Sequence, residues 1–278
     1  MTEQKPCQFH YSLTGNNNNP VILLLHGFMG NGSDFIDVIP LLTKKFYCLT
    51  VDLPGHGKTL INGGDENYKM PNTARELINL LDFLKIDKCY LFGYSMGGRL
   101  ALYLTVNFPW RFEKVILESA SPGLKTEKER YCIRNASRSR RISSDFLLAN
   151  KLETTDFKEF LLNWYNLPLF QSLSEHPNFE KMLERRLQNN PFELAKSLRN
   201  MGTGNQPSLW EKLPEVKIPL LLLVGEMDKK FVAINSEMAR LLPVVKMQII
   251  PDAGHNIHLE NPRVWVEHII NFSEINAI

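Results

Sequence analysis

Short, unbroken apolar runs separated by longer amphipathic stretches set the pattern of the first half of the chain. Val21-Ile22-Leu23-Leu24-Leu25 is one such run, residues 89–92 and 115–117 are others, and 46–51 is broken only by Thr50. Runs of this length without polar alternation predict strands covered on both faces, as in a parallel sheet. Between them, residues 33–43 read as a helix with Ser33 as its N-cap, and residues 72–84 carry Leu77, Leu80, Leu81 and Leu84 at helical spacing. Residues 7–12 alternate weakly and predict an edge strand ahead of a polar turn at 16–19. The rhythm then changes. From 124 to 209 there is no strand-like run, and the pattern is helical, dense in Arg, Lys, Glu and aromatic residues. Alternation resumes with runs at 218–224 and 246–250, a helix near 233–242, and a last helix opening at Pro262, a residue suited to a first helical turn. The expectation is an α/β fold with a mostly parallel, doubly wound sheet formed by residues 1–123 and 210–278. A helical cap insertion, residues 124–209, would lie over the carboxyl edge of that sheet.

Composition narrows the function classes. The 278 residues are 44% hydrophobic and 22% charged, which suits a globular α/β domain with an insertion. A formal charge of +2 provides no overall field for nucleic acid, and no aromatic platform is interleaved with the basic residues. Cys7, Cys48, Cys89 and Cys132 lie far apart without a C-x-x-C pair, so they read as reduced thiols in a cytoplasmic protein. The opening residues lack an apolar stretch, and the longest apolar runs are too short to cross a bilayer, so neither secretion nor membrane insertion is expected.

The candidate chemistry centres on Gly93-Tyr94-Ser95-Met96-Gly97, a G-x-S-x-G pentapeptide between the run ending at Phe92 and a helical pattern marked by Leu100, Ala101, Leu104 and Thr105. A strand, a sharp turn and a helix would leave Ser95 at the apex, with glycines where helix and strand meet. A serine hydroxyl is nearly inert at neutral pH, so it needs a base and a group to orient that base. The run at 218–224 leads into Gly225-Glu226-Met227-Asp228, and the run at 246–250 into Pro251-Asp252-Ala253-Gly254-His255. The chain order Ser95, Asp228, His255, each at the carboxyl end of a strand, is that of a nucleophile, an orienting acid and a base. Asp228 is preferred to Glu226 and to Asp252, which is only three residues from His255. The N–H groups of Met96 and Phe28 are the expected oxyanion donors, with His26 holding the Phe28 loop and His56 structural. A metal site at His255 and His258 lacks further ligands; neither metal nor cofactor is expected.

Taken in order, His26-Gly27, Asp52-x-Pro54-Gly55-x-Gly57, the pentapeptide, Gly225-x-x-Asp228 and Gly254-His255 resemble the α/β-hydrolase superfamily over nearly the whole chain. A narrower resemblance rests on further stretches. These are Leu25-His26-Gly27-Phe28-Met29-Gly30, Gly93-Tyr94-Ser95-Met96-Gly97-Gly98-Arg99, Glu118-Ser119-Ala120-Ser121-Pro122-Gly123-Leu124, Trp164-Tyr165-x-x-Pro168-Leu169-Phe170, Arg186-x-x-Asn189-Asn190 and Gly202-Thr203-Gly204-x-Gln206-Pro207-Ser208-Leu209-Trp210. Together they are similar to the 2-succinyl-6-hydroxy-2,4-cyclohexadiene-1-carboxylate synthase family of menaquinone and phylloquinone biosynthesis. The resemblance implies a lyase that eliminates pyruvate from a cyclohexene carrying three carboxylates. It implies Ser95, Asp228 and His255 as triad, Phe28 and Met96 as oxyanion donors, and Tyr94, Arg99, Trp164 and Arg186 as substrate contacts. A further family arginine falls at Ile133, so Arg134 or Arg130 would supply it. Arginine suits a small polycarboxylate because its planar guanidinium pairs bidentately with carboxylates. Two other readings use the same residues: a serine hydrolase of a small carboxylate-bearing ester or carbon–carbon bond, and a non-catalytic ligand-binding protein on this scaffold.

Overall fold

In a computed structural model the structure describes residues 6–125 and 138–275, the side chains of 138–143 excepted. Seven strands form the central sheet: β2 (Tyr11–Thr14), β3 (Val21–Leu25), β4 (Tyr47–Val51), β6 (Cys89–Tyr94), β7 (Phe112–Glu118), β8 (Leu220–Gly225) and β9 (Val245–Ile250), in the order β2-β4-β3-β6-β7-β8-β9. Within this sheet the β2–β4 pairing is antiparallel and the others are parallel. The expected edge strand at 7–12 is divided: β1 (Cys7–Gln8) leaves the sheet to pair with β5 (Leu60–Ile61), and β2 alone forms the edge.

The unbroken apolar runs are explained by the two faces of this sheet. Leu23, Leu25, Leu91, Val115, Leu117 and Leu222 point into one core with α2 (Met70–Phe83) and α3 (Met96–Asn107). Their neighbours Ile22, Leu24, Phe92, Ile116 and Leu221 point into the other, against Trp265 and Ile269 of the C-terminal helix. A side-chain period of two makes every residue of such a strand a core residue.

The expected helix at 33–43 is corrected. The chain makes a single 3₁₀ turn (Gly32–Phe35) and then a short helix, α1 (Ile39–Leu42), and the N-cap is Asn31, whose Oδ1 accepts the Ser33 N–H at 2.9 Å. Pro40 has no N–H to bond the preceding turn, and its ring would meet the Ile36 carbonyl in a continuous helix. The break turns Asp34 and Phe35 inward, where both are buried.

Between β7 and β8 the described residues contain helices and no strand: α4 (Arg138–Thr154), α5 (Phe157–Tyr165), α6 (Gln171–Ser174), α7 (Phe179–Arg186) and α8 (Pro191–Met201). Asp156 caps α5 through the Glu159 N–H, and Asn190 caps α8 ahead of Pro191. Leu152, Phe160, Leu161, Leu183 and Leu194 form this layer's core, which also takes in Met29 from the loop after β3. After β8 come α9 (Lys229–Leu241), α10 (Ile257–Glu260) and α11 (Pro262–Glu274). No described helix is long and apolar enough to cross a membrane.

Candidate active site

Register brings the carboxyl ends of the strands together, since Leu25 pairs with Gly93, Tyr94 with Glu118, Glu118 with Leu223, and Gly225 with Ile250. The loops that follow these strands therefore converge on one edge. At its centre Ser95 stands between β6 and α3 with φ 49° and ψ −106°, a conformation that an L-residue adopts only when its surroundings hold it. The Ser95 N–H donates to the Glu118 carbonyl at 2.9 Å and the Gly97 N–H to the His26 carbonyl at 3.1 Å. A Cβ at Gly97 would collide with those Leu25 and His26 carbonyls, which is why the elbow needs glycine there.

His255 Nε2 lies 3.0 Å from Ser95 Oγ, and His255 Nδ1 lies 2.6 Å from Asp228 Oδ2. The other carboxylate oxygen of Asp228 caps α9 by accepting the Phe231 N–H at 3.2 Å. One side chain thus starts a helix and orients the imidazole. Of the competing acids, neither Asp252 nor Glu226 is the ring's partner. His258 does not face a shared metal with His255: it is fully buried with its Nδ1 at 3.0 Å from both oxygens of Glu118. Glu118, also fully buried, accepts the Ile257 N–H at 2.8 Å and the Trp265 indole N–H at 2.7 Å. It ties the end of β7 to the segment just after His255, a role with no signature in the sequence beyond an acid at the end of an apolar strand. Among the described residues no group of three or more His, Cys, Asp or Glu is placed to hold a metal ion.

The N–H groups of Phe28 and Met96 donate to no other described residue, and Met96 opens α3, where the partial positive charge of a helix terminus adds to the donor. The loop carrying Phe28 is held by His26, whose Nε2 accepts the Leu53 N–H at 2.9 Å while Nδ1–H donates to the Gly27 carbonyl at 2.7 Å. These partners fix the neutral tautomer, and burial lowers the pKa of His26. His56 is buried and donates from Nδ1 to the Pro54 carbonyl at 3.0 Å. Burial and the neighbouring His26 hold its pKa well below the usual value.

Ser95 and His255 open onto a cavity of about 590 Å³ that Phe28, Arg99, Trp164 and Arg186 also line. Tyr94 forms part of its floor, its ring between those of His255 and His258 at 5.4 and 5.0 Å. Burial and then Glu118 push its phenol well above the ordinary range. Arg99, one turn beyond Ser95, donates to the Met201 carbonyl at 2.9 Å and to Gln206 Oε1 at 3.3 Å. Gln206 Nε2 in turn donates to the Ser121 carbonyl at 3.1 Å, so the sequence motif containing Gln206 buttresses the arginine. Trp164 is half-buried and packs on Phe28, Phe160 and Phe170, so it belongs both to the cavity wall and to the cap core. Arg186 is buried, with Asp34 on two of its nitrogens and the Tyr165 hydroxyl at 3.0 Å from Nε. Burial alone would raise the Asp34 carboxyl, but the Arg186 guanidinium outweighs it and holds the carboxyl below its usual range. Asp34 had no distinguishing sequence signal inside an expected helix. Arg130 and Arg134 lie outside the described residues.

Comparison with known proteins extends this geometry. Residues 20–262 match the family described as alpha/beta hydrolase fold. A Bacillus subtilis (strain 168) protein, provisionally named 2-succinyl-6-hydroxy-2,4-cyclohexadiene-1-carboxylate synthase, is 38% identical over 261 residues, covering 93% of this chain and 92% of its own. The protein bearing that name without qualification in Enterobacter sp. (strain 638) is 32% identical over 246 residues, 87% of each chain. The structure of MenH from S. aureus superposes with a TM-score of 0.86 at 37% identity, covering 95% of this chain and 97% of its own.

Proposed function

The chain belongs to the 2-succinyl-6-hydroxy-2,4-cyclohexadiene-1-carboxylate synthase family of the alpha/beta hydrolase fold, and on that premise we propose how its residues divide the reaction. The enzyme is a lyase that eliminates pyruvate from 2-succinyl-5-enolpyruvyl-6-hydroxy-3-cyclohexene-1-carboxylate, in menaquinone and phylloquinone synthesis. Ser95, its proton drawn toward His255 Nε2, removes the ring proton α to the succinyl ketone. Asp228 holds the imidazole and stabilises its positive charge. The ketone oxygen gains negative charge and accepts hydrogen bonds from the N–H groups of Phe28 and Met96. The electrons move through the ring and expel the enolpyruvyl group, which takes up the proton and leaves as pyruvate. Serine here is a base and forms no acyl bond.

The cap, residues 124–209, and the adjoining face of α3 recognise the substrate, with Arg99, Arg186, Tyr94, Trp164 and either Arg130 or Arg134 as contacts. The observation that carries this reading is Arg99, set in the cavity wall one helical turn beyond Ser95 and braced by Gln206. An acyl-transfer enzyme for neutral esters has no use for a guanidinium there. In the test, pyruvate release is followed for wild-type enzyme and Arg99→Ala, beside hydrolysis of a neutral ester. Losing a charge-assisted bidentate contact costs about 2–4 kcal/mol, so kcat/KM for the polycarboxylate should fall roughly 30- to 1000-fold. Arg99→Lys, which keeps charge but not the planar fork, should recover part of the loss. A loss for Arg99→Ala below about threefold, or an equal loss on the neutral ester, would refute the assignment.

A further inference from the structure

We propose that Asn189 is a positioning residue for the loop that carries the Phe28 N–H, so that the cap helps to build the oxyanion hole as well as covering it. The inference rests on the reading of Phe28 as an oxyanion donor. The loop is a tight turn, closed by the Gly30 N–H on the Gly27 carbonyl at 3.0 Å. Its third residue, Met29, has φ 65°. Glycine is the usual occupant of that place, and a side chain there costs about 1 kcal/mol or more. Something outside the turn must therefore hold it in shape.

What holds it comes from the cap. The Met29 side chain is fully buried in the cap core with Leu152, Phe160, Leu161, Leu183 and Leu194. The Met29 carbonyl accepts Asn189 Nδ2 at 2.8 Å, and Asn189 Oδ1 accepts the Gly57 N–H at 2.8 Å. Asn189 is 5% exposed. With carbonyls at its nitrogen and an N–H at its oxygen, the amide has one satisfied orientation. One buried cap side chain thus joins two loops of the sheet domain. Three residues earlier Arg186 clamps Asp34, and a Cβ at Gly30 would meet the Asp34 carboxylate and the His26 ring. The loop is braced on both sides by the turn that ends α7. The Phe28 N–H lies between the two anchored carbonyls, those of Gly27 and Met29, and takes its direction from them. An oxyanion donor acts through preorganisation, so a small rotation of that peptide removes much of its benefit.

The test measures kcat, KM, melting temperature and the rate at which phenylmethanesulfonyl fluoride labels Ser95, for wild type, Asn189→Ala, Asn189→Asp and a packing control, Ile269→Ala. Ile269 is buried in the core between the sheet and α11, apart from the cap core that holds Met29 and from the cavity lining. Removing an oxyanion donor outright costs roughly 100- to 1000-fold in kcat, and misdirecting one should cost less. Asn189→Ala is expected to lower kcat about 10- to 100-fold with KM within about twofold, and to slow Ser95 labelling by a similar factor. Asn189→Asp keeps the acceptor for Gly57 but offers no donor to Met29, and should fall with Ala. Ile269→Ala should lose melting temperature while keeping kcat and labelling within about threefold of wild type. The inference is overturned if kcat and labelling for the asparagine variants stay within about threefold, or if Ile269→Ala loses both as severely. Should Asn189→Ala not fold, Asn189→Asp decides by the same limits. Labelling needs no physiological substrate, so it judges this inference even if wild-type enzyme releases no pyruvate, the result that would instead defeat the functional reading.

Discussion

The triad and the cap seam solve the problem of buried charge in opposite ways. In the triad every group comes from the sheet's own loops, and its hydrogen bonds run in one line, Asp228 to His255 to Ser95, ending at the cavity. At the seam the charges are matched across two layers: Arg186 of the cap is closed off by Asp34 of the sheet domain, and both are buried. On the assignment proposed above, the comparison separates the placing of the reactive groups from recognition. The strands of the sheet domain set the positions of Ser95, Asp228 and His255, whereas recognition would depend on two layers being seated, because Arg186 and Trp164 line the cavity and also pack the cap.

The sharpest way to break the comparison is to remove the reactive line. Ser95→Ala and His255→Ala should each lower pyruvate release by about three orders of magnitude or more, and the double variant should be scarcely slower, since triad members act as a unit. Neither should shift the melting temperature by more than a few degrees. Near-normal turnover of Ser95→Ala, read by pyruvate formation, would remove serine from the mechanism.

The seam should respond in the reverse sense, through stability. Asp34→Ala leaves a buried guanidinium without its carboxylate, a change that costs about 3–5 kcal/mol. For a chain of this size that corresponds to a fall of roughly 5–9 °C in melting temperature. Replacing both partners, Asp34→Leu with Arg186→Met, should recover much of the stability, because a matched apolar pair buries no charge. Thermal unfolding of the three proteins decides this; a shift below about 2 °C for Asp34→Ala would mean that the pair does not hold the seam.

Taken ring by ring, the smallest effect is that of acid. His26 and His56 are buried and neutral, with pKa values lowered mainly by desolvation. The unfolded chain binds protons at these rings below about pH 6.5, where the folded protein does not. Their contribution is therefore fully present above that pH and is lost as pH falls toward the folded-state values, by up to about 1.4 kcal/mol per pH unit for each ring. Melting temperature should drop between pH 7 and pH 5, and His56→Asn should flatten the slope in that interval. An unchanged slope would assign the acid sensitivity to other groups.

Much of the sheet domain was legible in the chain because its rules are local. Five-residue apolar runs, a G-x-S-x-G turn and acids or histidines just past a strand each report on themselves, and chain order did the rest. Ser95, Asp228 and His255 come together because parallel strands bring their carboxyl ends to one edge. The expected helix at 33–43 does not form as one piece because a single proline at position 40 outweighs a good amphipathic pattern. That break is also what hid Asp34, which sits inward only because the helix stops.

By itself the sequence determined the alternation of strands and helices, the nucleophile elbow, and an acid and a histidine just past two later strands, since each of these is encoded within a few residues of chain; it also marked a strandless, arginine-rich stretch between β7 and β8. Only the tertiary structure decided what those residues touch. Arg186 and Asp34 are 152 positions apart, Asn189 and Met29 160, and Glu118 and His258 140. No local pattern marks such pairs, because a buried hydrogen bond between distant residues is set by the packing of whole layers and by the cost of leaving either partner unsatisfied.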